Sequence, residues 1–92
     1  MAQVTVTIKG ASRAATLSWG GDLVSLTSTG GGNHTAAFQR VPGNYLYVIT
    51  VFGAPGDAWS ANITDDIGPQ NHAGHMSPGG FDGTGDTAFQ VH

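Results

Sequence analysis

The sequence predicts an all-β fold, a small antiparallel sandwich of about seven strands. Three observations predict it. Apolar and polar residues alternate with period two through most of the chain, beginning with Val4-Thr5-Val6-Thr7-Ile8. The acidic residues are all Asp, at 22, 57, 65, 66, 82 and 86, with no Glu and a single Lys, whereas ten residues are Thr. Asp suits turns and caps, Glu and Lys suit helix surfaces, and Thr suits strands. Glycine, 15 of 92 residues, recurs between the alternating runs, where turns need it.

The 92 residues make one domain, 1–92. A chain of this size buries roughly 60–65% of its unfolded surface, enough for one core. Without cysteine there is no disulfide to staple it, so the core and any bound ion or partner must hold it.

The elements follow in order. Residues 3–9 alternate strictly, with Val4, Val6 and Ile8 on one face, and Gly10 ends the run. Residues 14–19 place Ala15, Leu17 and Trp19 on one face. Gly20-Gly21-Asp22 turns the chain into a run over 23–28, with Val24 and Leu26 together, so the pair reads as a hairpin. The triple glycine 30–32 connects to a weaker strand over 34–41 carrying Ala36 and Phe38. Val41-Pro42-Gly43-Asn44 is a turn with proline at its second position. Tyr45 to Phe52 is apolar on both faces and reads as a central strand covered on both sides. After Gly53-Ala54-Pro55-Gly56-Asp57, residues 58–64 place Trp59, Ala61 and Ile63 together. Residues 65–86 break the rhythm and read as one long Gly/Asp-rich loop, and 87–92 close the chain with Phe89 and Val91 on one face. The expected core includes Leu46 and Val48 alongside the residues named.

The stretch Phe38-x-x-Val41-Pro42-Gly43-Asn44-Tyr45-x-Tyr47-x-Ile49-x-Val51 resembles the turn and strand of immunoglobulin-like and fibronectin-like modules. The resemblance implies an Ig-like sandwich and carries no functional residues with it.

Composition narrows the function. Charged residues are 10% of the chain and the net charge is -3. The cations are Lys9, Arg13 and Arg40, too few for a groove that tracks phosphates, so no nucleic-acid partner is expected. No apolar run approaches the ~20 residues of a membrane span. No apolar segment follows Met1 as a leader would, so the chain is expected in the cytoplasm, or outside the cell after processing. Asn33-His34-Thr35 and Asn62-Ile63-Thr64 match the glycosylation sequon and read as coincidence in a chain without a leader.

Chemistry is expected in the 65–86 segment, because loops beyond ~12–15 residues in compact domains are usually functional or disordered. Asp65, Asp66, Asp82 and Asp86 offer oxygens for calcium, which takes six to eight. The alternative is that they cap turns. His72-x-x-His75 could meet one zinc, with an Asp or His92 completing the shell, against the reading of two exposed loop histidines. Trp19, Trp59, Tyr45 and Tyr47 could offer ring faces to a sugar, or could be core plugs. With Trp59 as platform, Asn71, His72, His75 and Asp82 would be the polar partners. The leading expectation is therefore a non-enzymatic carbohydrate-binding module or small lectin, calcium-assisted through 65–86. The alternative is a structural or adhesion module that self-associates into a homo-oligomer through strand edges, which the uncharged Thr/Ser/Ala strand faces protect weakly. A metal-dependent hydrolase using His72, His75 and an Asp is the third reading, and no nucleophile motif supports it.

Overall fold

The computed structural model describes residues 2–65 and 68–92, which fold into two antiparallel sheets with no helix among them. Ten strands form: β1 Ala2–Lys9, β2 Ala14–Trp19, β3 Asp22–Val24, β4 Thr27–Gly30, β5 Asn33–Arg40, β6 Gly43–Phe52, β7 Ala58–Thr64, β8 Pro69–His75, β9 Phe81–Gly83 and β10 Thr87–Val91. The first sheet has the order β4-β5-β1-β7-β8, and the second β10-β6-β2-β3 with β9 also on β6.

Ten strands replace the expected seven because one run is divided and the supposed loop holds two more. The run 23–28 is cut at Ser25-Leu26, so that β3 stays in the second sheet and β4 joins the first; strands that change sheets in this way make the corners of sandwiches. The supposed loop 65–86 holds two strands, β8 and β9. Finally, β9 and β10 are successive segments of one edge. Residues 81–83 pair with 52–50 and residues 87–91 with 47–43, so residues 84–86 face only 48 and 49 across the ladder. The extra residue is a β-bulge, with Gly85 at φ +63°. Thr84 secures it: its N–H donates to the Ile49 carbonyl at 3.0 Å and its Oγ1 accepts from the Ile49 N–H at 3.1 Å.

The hairpin that Gly20-Gly21 predicts is present, and the glycine connection at 30–32 closes a second one that the sequence reading did not give. Trp19 pairs with Asp22 around Gly20-Gly21, and Gly30 pairs with Asn33 around Gly31-Gly32. All four turn glycines have positive φ, the condition a two-residue hairpin imposes on its central residues.

The core follows the alternation. Val4, Val6, Ile8, Trp59, Ala61 and Ile63 point inward from the first sheet; Leu17, Trp19, Tyr47, Ile49, Val51, Phe89 and Val91 do so from the second. Trp19 is the hub of an aromatic cluster, stacked on Tyr47 at 5.3 Å between centroids and edge-on to Phe38 at 5.2 Å. Two expectations fail here. Leu46 is 59% exposed and Val48 lies beside it on the outer face, so β6 is central in its sheet but covered on one side only. Of the two readings given for Tyr47, the core plug holds: it is wholly buried, as strict alternation from Ile49 requires.

Candidate functional site

Strand β8 decides where the expected site residues go. Successive side chains of a strand point to opposite faces. Paired residue by residue with β7, β8 sends Gln70, His72 and Gly74 inward beside Ile63, Ala61 and Trp59, and Asn71, Ala73 and His75 outward. Asn71 and His72 therefore serve different surfaces. His72 and His75, three apart, lie on opposite faces, which removes the shared zinc that a loop would have allowed.

The inward residues close the open side of the sandwich between β8 and the β9–β10 edge. The Gln70 amide donates to the Tyr47 hydroxyl at 2.7 Å, and the Tyr47 hydroxyl is bonded in turn to His72 Nε2. The direction of that second bond follows the His72 tautomer. Burial favours the neutral form of both groups: it pushes the Tyr47 phenol above its ordinary value, offset in part by Gln70, and lowers His72. Further along, Trp59 Nε1 donates to Asp82 Oδ2 at 2.7 Å. Gly74 makes that contact sterically feasible, since a Cβ there would sit 2.6 Å from Asp82 Oδ2 and 2.9 Å from Trp59 Nε1. At the other end, Asp65 accepts from the His92 backbone at 2.9 Å and contacts its ring at 2.6 Å.

These contacts reassign several expected roles. Trp59 is 5% exposed, so it offers no ring face to a sugar; Trp19 and Tyr47 are buried as well. Asp82 is a hydrogen-bond acceptor for the Trp59 indole. Asp65 holds His92, Asp86 sits in the β9–β10 bulge, and Asp66 lies outside the described residues. Among the described residues no three His or Asp side chains gather to hold a metal. The carboxylates are spread along strands and turns, where the loop reading had let them converge.

Asn71 keeps an outward position, and the structure gives it a partner that the sequence reading missed. On the outer face of the first sheet, one cross-strand row runs over all five strands: Thr27, Thr35, Thr7, Asn62 and Asn71. At its β7–β8 end lies a recess of about 310 Å³, with Lys9, Ser60 and Ala73 around the two asparagines. The Asn62 amide donates to the Asn71 carbonyl oxygen at 2.5 Å. Each carboxamide has two donors and two acceptor positions. The mutual bond fixes both planes and leaves the Asn62 oxygen and the Asn71 amide nitrogen with no other partner among the described residues. Flipping both amides reverses the bond and leaves the Asn62 amide nitrogen and the Asn71 oxygen free instead, again one donor beside one acceptor. Asn62 had shown itself in the sequence only as part of a sequon.

The remaining predicted residue, His75, is exposed at the end of β8 opposite Ala58. No helix of the described residues is long and apolar enough to cross a membrane. No protein-family model, no curated protein and no solved structure matches the chain.

Proposed function

We propose that the chain is a non-catalytic carbohydrate-binding module whose ligand lies on the outer face of the first sheet. The observation that carries this reading is the Asn62–Asn71 pair, which offers one free acceptor and one free donor side by side at a recess. Adjacent hydroxyls of a sugar ring, each both donor and acceptor, complement such a pair. The row of threonines continues the same chemistry across the sheet at the strand spacing of about 4.8 Å, so an extended neutral glycan could engage several strands. Lys9, the one Lys, Arg or Asp side chain lining the recess, adds a further donor for a sugar oxygen. No ion enters this reading, and no buried aromatic does.

Titration calorimetry against neutral oligosaccharides, with chelator present, tests it. Asn71→Ala and Asn62→Ala should each weaken binding by on the order of tenfold, the loss of about one hydrogen bond left unmade, with the fold intact. Binding that neither substitution weakens, or no binding across the panel at millimolar sugar, overturns the proposal.

The immunoglobulin-like reading of the sandwich finds support in Tyr45, whose hydroxyl donates to the Val41 carbonyl at 2.7 Å across the Pro42-Gly43 turn. A tyrosine bonded to backbone a few residues upstream is a corner device of such sandwiches. Strand-edge association receives less support. The first sheet ends on β4, four residues with a register break, and on β8, which opens on Pro69; the second ends on the three-residue β3 and on the bulged β9–β10 edge. Short, broken and proline-bearing edges are what proteins use to prevent strand addition.

A further inference from the structure

We infer that the outer face of the second sheet is a self-association surface that packs against the same face of a second copy. Its outward strand positions carry a concentration of exposed apolar side chains. Leu23 is 80% exposed, Leu46 59% and Phe81 53%. Phe52 lies directly across from Phe81, and Leu46 across from Ala88. Two apolar centres thus stand on β6, Leu46 near its middle and Phe52 at its last residue, with Val48 and Thr50 between them. Patches of this kind on a small domain mark interaction sites.

Charge and area identify the occupant. No outward strand position of this sheet is ionisable: β2 offers Ala14, Thr16 and Ser18, and β10 offers Ala88 and Gln90. Asp82 turns inward to Trp59. A protein of net charge -3 repels its own copies wherever its aspartates meet, and on this sheet the exposed aspartates, Asp22 on β3 and Asp86 in the β9–β10 bulge, sit at the two edges, away from the strand positions of the face. A charged partner would find no complement on the strand positions, whereas an identical face with the same uncharged centre is complementary to itself. The strands of the sheet cover about 450 Å² in projection at ordinary strand spacing and rise, and more as accessible surface because the side chains stand proud of it. That lies toward the low end of specific interfaces, so the expected assembly is a reversible dimer. Two such faces related by a twofold axis would stack about 10 Å apart, as sheets do inside a sandwich. The closed edges of both sheets direct association to this face and stop it at two copies.

Sedimentation velocity of the full chain over a hundredfold or wider concentration range, up to millimolar, tests the inference. The unsubstituted protein should pass from monomer to dimer and no further. Leu46→Lys and Phe81→Lys, one in each apolar centre of the face, should each raise the dissociation constant at least tenfold while leaving the far-ultraviolet circular dichroism unchanged. Gln39→Lys, on the outer face of the first sheet, should leave the dissociation constant as it was. A monomer throughout the range, open-ended growth beyond the dimer, or a dimer that survives both face substitutions overturns the inference. So does a dimer that Gln39→Lys dissolves. Loss of sugar binding in the asparagine variants would leave every one of these outcomes unaffected, so the two proposals fail independently.

Discussion

The inner faces of the two sheets are alike, and the outer faces are not. Inside, both sheets present Val, Ile and aromatic side chains at alternate positions. Outside, the first sheet presents a row of Thr and Asn, and the second presents Leu, Val and Phe. A sandwich needs only its inner faces to be apolar, so each outer face is free to differ. The apolar outer face contributes nothing to the core of an isolated chain, and its cost in exposed surface makes sense where something covers it. The polar outer face is hydrated as it stands and suits a ligand that exchanges hydrogen bonds with water.

The comparison can be broken at the core that both faces share. Trp19→Ala removes the hub of the aromatic cluster and should destabilise the fold by about 3–5 kcal/mol, read by chemical denaturation. Both faces should then fail together. A variant that kept one surface function after losing this stability would show that the two faces are not held by one core.

A smaller effect is expected at the seam that ties the edges of the sheets. Gly74→Ala drives a methyl between Asp82 and Trp59 and should separate them, leaving the indole N–H without its acceptor. The expected cost is about 1–3 kcal/mol. Asp82→Ala should cost a similar amount, and the double variant little more than either alone, because both remove the same bond. Additive losses would mean that Gly74 has some other role.

The smallest effect is that of pH. His72 is lowered in the fold, so the unfolded chain takes up a proton more readily. The contribution of His72 is present above the ordinary histidine value of 6.5 and is lost as pH falls through it. Tyr47 is raised, so its contribution is present below 10.0 and is lost as pH rises above that. Denaturation midpoints should hold between these limits and fall on both sides, and His72→Gln should flatten the acid side. An acid limb unchanged by that substitution would remove His72 from it.

Much of this architecture could be read from the residues. A continuous apolar run located β6, and period two located β1, β2, β5, β7 and β10, because each of these has an apolar row facing a polar one. It missed β8 because both of its faces are polar: Gln70, His72 and Gly74 inside, Asn71 and His75 outside. Alternation has no contrast there, and only the tertiary fold reveals the strand. It misassigned Leu46 and Val48 for the opposite reason, since β6 is apolar on both faces and an uncovered apolar face looks like core in a sequence. The candidate site was half legible. Asn71 drew attention as a polar residue in an unusual segment, whereas Asn62, nine positions earlier, joins it only through the β7–β8 register.

The strand hardest to see in the sequence is also the one least bound by oil. β8 has no apolar neighbour beyond β7 and leans on the interior through an amide, an imidazole and a glycine, where other strands bring valine or isoleucine. Its ladder should therefore be among the first to open in native-state fluctuations, with amide hydrogens that exchange ahead of those of β1 and β6. Each such opening would separate Asn71 from Asn62 and dismantle the recess, so the same polar lining that admits a strand at the rim also places the ligand face on the most readily released part of the molecule.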